Sequence, residues 1–197
     1  MGRAQELFNK ACESYDHAQE LVKTVAESYR SAERQATGST SFNPGITMAE
    51  FDQILQGVLL TQALVDNDFD RLERQFIDKI TDHGDLLDYI RHDSKGKLSL
   101  TWDEIAWMDS ETQGELIKVL PAILESRCKD FLVPFVIVEK VVDENLMKVL
   151  VNDIVEIGAC LAYVDGQLDE IEPEGLKAML DTLLLKPWRE MKKNCSA

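Results

Sequence analysis

The apolar pattern of the first 36 residues predicts one long helix. Small and aromatic residues recur at intervals of four and three, the spacing of a heptad seam. The seam consists of Ala4, Phe8, Ala11, Tyr15, Ala18, Val22, Val25, Tyr29, Ala32 and Ala36. Because it is rich in Ala and Tyr and poor in Leu and Ile, it makes a weak coiled coil. We expect it to pack on the protein's own body or on a second copy, with docking of a partner helix as the alternative.

A polar segment separates this helix from the rest of the chain. Residues 37–45 are crowded with Gly, Ser, Thr, Asn and Pro, a composition typical of linkers. Helical periodicity then resumes, and Thr47 followed by Glu50 is a capping-box pattern that predicts a helix start. We therefore divide the chain into residues 1–42, a long amphipathic helix with its linker, and residues 43–197, a helical domain.

The remaining segments also favour helices. Residues 70–80 and 146–164 have helical spacing. The β-branched segment 131–142 is interpreted as a buried helix that starts near Asp130, because Pro134 then falls in its first turn. No pair of alternating strands joined by a hairpin turn is visible in the sequence. The sequence thus predicts a compact all-α protein.

Two further capping-box patterns divide the middle of the chain. They are Thr101 with Glu104 and Ser110 with Gln113. The helix opened by the second pattern reaches Pro121, where proline removes a backbone hydrogen bond. We expect a kink or a restart at that position.

An acidic motif occurs twice, each time after an apolar run. The copies carry three carboxylates at the same spacing, 99 residues apart. They are Asp66, Asp70 and Glu73 in the first copy, and Asp165, Asp169 and Glu172 in the second. Asn67 and Gly166, which readily adopt the left-handed conformation that ends a helix, occupy equivalent places. Each copy predicts a helix, a tight turn and a helix, and together they predict an internal pseudo-two-fold duplication.

These acids admit two interpretations. The last two acids of each copy form a D-x-x-E pattern that suits the cap of a helix N-terminus. The first acid, Asp66 or Asp165, comes at the C-terminal end of a helix, where the macrodipole disfavours negative charge. Three carboxylates in one turn repel one another, and a hard divalent cation bound through oxygen relieves that repulsion. Either the acids are only caps, or the turns bind a divalent cation, with calcium the expected ion.

The stretch ACLAYVDGQLDEIE resembles the signature of the TerB-like tellurite-resistance family, in which Asp-Gly-x-x-Asp-x-x-Glu follows an Ala-rich helix. The resemblance covers about residues 46–185 and implies an all-helical fold with a duplicated acidic helix-turn-helix unit. It further implies that the six acids bind a divalent metal and that the protein takes part in tellurite or metal resistance or in a stress response. The first copy departs from the pattern, because Asn67 and Asp68 follow its first aspartate.

Charge and composition narrow the class of partner. A net charge of −15 and a pI near 4.6 favour cations or basic protein surfaces and argue against nucleic acid. The four cysteines form no C-x-x-C pair, which suits a reducing cytoplasm. The chain opens without a signal-peptide pattern, and its longest uncharged apolar run, residues 54–65, is too short to cross a bilayer. We expect a soluble cytoplasmic protein.

Other candidate sites are weaker. His83 and His92 lie among aspartates and are candidate transition-metal ligands, although a solvated polar connector has the same composition. The three tryptophans, Trp102, Trp107 and Trp188, are expected in the core or at its rim. No phosphate-binding loop, nucleophile elbow, H-E-x-x-H or Glu-x-x-His pair is present, so the sequence predicts no enzyme. The leading hypothesis is a cation-binding module; the alternative is an adaptor whose acids are only caps and whose N-terminal helix binds a protein.

Overall fold

The computed structural model describes residues 2–64, 69, 71–81, 86–87, 101–142, 144–163 and 172–195, without the side chains of residues 102, 103 and 172–174. Within these ranges all regular secondary structure is helical. The helices are α1 (Arg3–Thr37), α2 (Pro44–Ala63), α3 (Arg71–Ile80), α4 (Trp102–Ala106), α5 (Ser110–Val142), α6 (Leu146–Leu161), α7 (Glu172–Leu180) and α8 (Lys186–Asn194). A π-helical turn, Asp181–Leu185, joins α7 to α8 without a break. The predictions of an all-α fold and of a long N-terminal helix are confirmed.

The heptad seam of α1 packs on the protein's own body. Ala11, Ala18, Val22 and Val25 have no exposed surface and belong to the same hydrophobic core as the later helices. The helix ends at Gly38, which adopts the left-handed conformation with φ of 79° and donates its N–H to Arg34 O at 2.9 Å. The first of the two packing alternatives for the seam is therefore the one observed.

Two pairs of contacts show that α1 and α2 are antiparallel. Tyr29, near the end of α1, contacts Phe42, just before α2, with ring centroids 4.7 Å apart. Tyr15, nearer the start of α1, donates its hydroxyl to Asp52 Oδ1 within α2 at 2.8 Å. As α1 is followed backwards, its contacts thus move forwards along α2.

Helix α6 is antiparallel to α1 in the same way. Ser14 Oγ donates to Glu156 Oε2 at 3.0 Å, and His17 Nδ1 lies 2.8 Å from Asp153 Oδ2. Since α2 and α6 both oppose α1, they are parallel to each other. Their C-terminal ends, which precede the two acidic motifs, therefore lie at the same end of the molecule as the start of α1.

The capping box predicted at Thr47 and Glu50 is wrong. Helix α2 is capped four residues earlier, where the Asn43 side chain accepts the Gly45 N–H at 3.0 Å and Pro44 occupies the first turn. An Asn-Pro pair supplies both a capping oxygen and a preset backbone angle, so it starts the helix before the Thr-x-x-Glu pattern is reached. Thr47 and Glu50 are instead buried inside α2.

The two later capping predictions have opposite outcomes. Thr101 and Glu104 form the reciprocal box, with Thr101 N–H donating to Glu104 Oε2 at 2.7 Å and Glu104 N–H to Thr101 Oγ1 at 3.2 Å. The box predicted at Ser110 is wrong, because Asp109 Oδ1 accepts the Thr112 N–H at 2.8 Å and Ser110 is already helical. The bonds from Thr112 hold the pKa of Asp109 below its ordinary value.

Helix α5 continues for 33 residues through Pro121 and Pro134. The predicted restart at Pro121 and the predicted start near Asp130 are therefore wrong, although the β-branched segment is helical as expected. Each interior proline costs roughly 3 kcal/mol. Burial of Phe131 and Phe135, which have no exposed surface, offsets this by about 1.5–3 kcal/mol for each side chain.

The tryptophans differ in environment. Trp188 on α8 is buried, as predicted, and donates its indole N–H to Glu139 Oε2 at 2.8 Å. Trp107 is 87% exposed, so the prediction that it lies in the core or at the rim is wrong. It lies in the turn just beyond the end of α4, where no helix face directs it inwards. The side chain of Trp102 lies outside the description.

Candidate functional site

One of the six predicted carboxylates has a described side chain. Glu73 lies in the first turn of α3 and is buried, and Phe69, two residues before α3 in the sequence, is buried as well. The other acids are Asp66, Asp70, Asp165 and Asp169, which lie outside the described residues, and Glu172, whose backbone begins α7 but whose side chain is not described. The predicted duplication and its acidic turns therefore remain predictions, and His83 and His92 also lie outside the described ranges.

The helices that precede the two motifs touch near their C-terminal ends. Gln62, the penultimate residue of α2, donates Nε2–H to the backbone oxygen of Gly158 on α6 at 2.8 Å. Gly158 lies within the last turn of α6, and both residues are buried. The two acidic motifs therefore follow helix ends that are in direct contact.

This close approach depends on glycine at position 158. A Cβ added there would lie 2.6 Å from Gln62 Oε1 and would also collide with the Leu176 side chain of α7. Real Cβ atoms do not approach other heavy atoms so closely, so a larger residue would push the helices apart. Gly158 thus allows α2, α6 and α7 to converge at one place.

The electrostatics of this end are set by helix termini. Neither α2 nor α6, both fully described, has a basic residue in its last turn, so the partial negative charge of each C-terminus, about half an elementary charge, is not offset within the helix. The Arg3 guanidinium, at the start of α1, lies 5.9 Å from the ring centroid of Tyr163. Arg3 thus places one positive charge beside Tyr163, which comes two residues before Asp165 in the sequence.

Within the described residues, no group of three or more His, Cys, Asp or Glu side chains is close enough to hold a metal ion. Cys160 on α6 is buried, and this burial raises the pKa of its thiol.

A cavity of about 400 Å³ lies beside the convergence of α2 and α7. Thr61 and Gln62 from α2 form part of its wall, and most of the remaining lining is apolar. The sequence analysis did not predict this cavity. The available signal was the presence of amides, Gln56 and Gln62, within a largely apolar run, because a buried amide must find partners.

In the part of the chain that the structure describes, no helix combines the length and the apolar character needed to span a membrane. No protein-family model, curated protein or solved structure matches this chain. The resemblance to the TerB-like family therefore depends on its sequence motif alone and stays a prediction.

Proposed function

We propose that this protein is a non-enzymatic module that binds a divalent cation, with calcium the expected ion, at the end of the molecule where α2 and α6 terminate. The observation that carries the proposal is the buried hydrogen bond from Gln62 Nε2 to Gly158 O at 2.8 Å. It joins the ends of the two helices that directly precede the acidic motifs.

The number of acids supports a shared site. Calcium takes six to eight oxygen ligands, so three carboxylates from one turn leave its shell incomplete. The two motifs, which follow touching helix ends in the sequence, carry six carboxylates between them. Their donors are all oxygen, the ligand type that hard divalent cations prefer.

The resemblance to the TerB-like family extends the proposal to a biological role. We assign the protein to tellurite or metal resistance or to a related stress response on the basis of ACLAYVDGQLDEIE. Cation binding can be tested without assuming that role.

The test is thermal unfolding of the chelator-stripped full chain with and without calcium, magnesium, manganese or zinc. A cation present at about 100 times its dissociation constant should add roughly 2.7 kcal/mol to the free energy of unfolding. Asp66→Asn with Asp165→Asn should abolish this gain. The matched control is Glu27→Gln with Glu190→Gln, which removes the same charge from two exposed carboxylates.

Three results are informative. Stabilisation that persists in the Asp66 and Asp165 variant, or that disappears equally in the control, would refute the assignment. Stabilisation by none of the four cations would leave the acids as helix caps. Arg3→Gln adds a further check, because removal of that positive charge should tighten cation binding several-fold if the second motif supplies ligands.

The adaptor alternative stays a prediction. The middle of its expected binding face, the heptad seam from Ala11 to Val25, is covered by the protein's own core, so a partner would have to contact the ends of the seam or a different face of α1. Deletion of residues 1–42 cannot test it cleanly, because the deletion would also remove core residues such as Val22 and Val25.

A further inference from the structure

A groove extends along the second half of α1. It consists of two depressions, of about 350 and 500 Å³, which share Thr24 and Ser28 in their walls and are therefore continuous. On α1 the lining runs from His17 to Gln35, which at 1.5 Å per residue is about 27 Å. The end of α5 and the start of α6 form the opposite wall. The groove therefore has the length of a helix of about five turns.

The wall opposite α1 carries three valines of α5, Val138, Val141 and Val142, which we call the valine strip. They lie on one face of the helix, because residues three and four apart are neighbours on a helix surface. Val138 is buried, whereas Val142 is 46% exposed. Val141 is 78% exposed, more than any other large aliphatic side chain that the structure describes. An exposed apolar strip with polar neighbours is typical of an interaction surface.

The heptad seam of α1 leaves the protein's own core within this groove. Val22 and Val25 have no exposed surface, whereas Ala32 is half-buried and Ala36 is exposed. Ala32 lines the groove together with the small side chains of Thr24 and Ser28, which let another backbone approach closely. The helix-packing pattern of α1 thus continues beyond the part that this chain covers. A helix is therefore the occupant that suits the groove.

Three carboxylates line the groove and select the charge of its occupant. Glu20 and Glu27 come from α1, and Glu144 comes from the connection between α5 and α6; all three are exposed. None of the described residues that form the lining is Lys or Arg. Lys23 lies 3.6 Å from Glu20, but both side chains are more than half exposed, and such surface pairs contribute little. The groove and the net charge of −15 both attract a basic partner and repel an acidic one.

We infer that this groove binds a basic amphipathic helix of another protein. Apolar side chains of that helix, spaced at i, i+3, i+4 and i+7, contact the valine strip, and its Lys or Arg side chains face the three glutamates. A second copy of this chain is the poorer occupant, because its basic helix α8 directs Trp188 into its own core. The acidic motifs follow helix ends near the start of α1, so this inference does not depend on cation binding.

Three labelled peptides of about 18 residues test the class of partner on the full chain. The first carries Leu on one helix face and Lys elsewhere, the second has the same composition in scrambled order, and the third has Glu in place of Lys. In fluorescence anisotropy titrations, the first should bind at least about tenfold more tightly than the second, and the third should bind most weakly. Equal affinities of the first two peptides, or of the first and third, would overturn the inference, as would absence of binding by the first.

Substitutions in the valine strip locate the binding. Val141→Ser with Val142→Ser should weaken the first peptide at least about fivefold. The matched control is Val119→Ser with Val149→Ser, two valines that are 43% and 39% exposed and lie outside the groove lining. The control should leave the affinity unchanged, and circular dichroism checks that both variants are folded. A folded Val141 and Val142 variant that bound the peptide like the wild type would refute the assignment.

Substitutions of carboxylates separate the groove from net charge. Glu20→Gln with Glu144→Gln removes one carboxylate from each wall and should weaken the first peptide several-fold at low salt. Glu115→Gln with Glu125→Gln removes the same charge from exposed carboxylates of α5 outside the lining and should change the affinity less than about twofold. Equal effects of the two pairs would refute the inference.

Sedimentation of the full chain tests the other occupant. The chain should be monomeric at the concentrations of the titrations. A dimer that Val141→Ser with Val142→Ser converted to monomers would place a second copy in the groove and overturn the inference.

Discussion

Replacement of Glu139 by Ala should be strongly destabilising. Glu139 lies near the end of α5 and is only 1% exposed. Its carboxylate accepts the backbone N–H of Met147 at 2.7 Å and the indole N–H of Trp188 at 2.8 Å, and it pairs with Lys192 Nζ at 2.8 Å. One side chain thus joins α5 to the start of α6 and to α8.

The magnitude follows from what each donor loses. Lys192 is 29% exposed and can turn towards water, so it contributes least. The N–H groups of Met147 and Trp188 stay buried, and an unsatisfied buried donor costs about 1–3 kcal/mol. Removal of one partner from a buried ion pair costs about 3–5 kcal/mol in comparable cases. We therefore expect Glu139→Ala to lower the free energy of unfolding by about 3–5 kcal/mol.

Denaturant unfolding followed by circular dichroism at neutral pH measures this loss. The matched control is Glu115→Ala, which breaks a 2.7 Å pair with Lys118 in which both side chains are mostly exposed. That change should cost less than about 1 kcal/mol. A double-mutant cycle with Lys192→Ala then isolates the contribution of the ion pair from that of the two N–H bonds.

The reasoning would be refuted if Glu139→Ala cost no more than Glu115→Ala. A large loss that was fully reproduced by Lys192→Ala alone would also contradict it, because the two buried N–H donors would then contribute nothing. The outcome bears on the cavity too, since Glu139 holds Trp188 on α8, and α8 continues directly from the helix that forms one cavity wall.

Two further predictions concern pH and glycine. Burial, followed by the nearby charge of Asp130, raises the pKa of Glu50 from its ordinary 4.5 to about 7 in the folded protein. The contribution of Glu50 to the free energy of unfolding is therefore complete below pH 4.5 and is lost as pH rises through about 7. Between pH 4.5 and 8, Glu50→Gln should gain on the order of 2–3 kcal/mol in the free energy of unfolding relative to the wild type, as measured by parallel denaturant titrations. A difference that did not change with pH would contradict the assignment. Gly158→Ala should lower the free energy of unfolding by about 1–3 kcal/mol, because the new Cβ meets the Leu176 side chain. Gly114→Ala, whose Cβ meets no atom within 4 Å, should instead stabilise α5 by about 0.5–1 kcal/mol. Equal effects of the two substitutions would refute the packing argument.

Periodicity was sufficient to predict the helices but not to choose among start signals. The seam of α1 predicted a helix over residues 1–36, and the structure has Arg3–Thr37. At α2, by contrast, two start signals lie within a few residues, and Asn43 with Pro44 prevails over the capping-box pattern at Thr47. Pattern alone does not rank such competing caps, because their free energies differ by less than the contribution of the packing that follows.

The candidate site was predictable only in part, because adjacency depends on tertiary packing. Spacing identified the two acidic motifs, yet the contact that unites their helices joins residues 96 positions apart, Gln62 and Gly158. The cavity is lined in part by Gly175, which has no side chain, and by residues of a π-helical turn. Neither feature produces a period of polar and apolar residues, so neither is visible in the sequence pattern.

The observed helix ends divide the six acids into two classes. In sequence, Asp70 directly precedes α3, which begins at Arg71, and Asp169 precedes α7, which begins at Glu172, so the last two acids of each motif belong to the N-terminal side of a helix, where the partial positive charge stabilises a nearby carboxylate by about 0.3–1 kcal/mol. In sequence, Asp66 and Asp165 instead follow the ends of α2 and α6, where the same effect has the opposite sign. Capping accounts for the first class and leaves the second unexplained, whereas a cation accounts for both. Asp66 and Asp165 are therefore the pair whose substitution separates the two interpretations of the acidic turns.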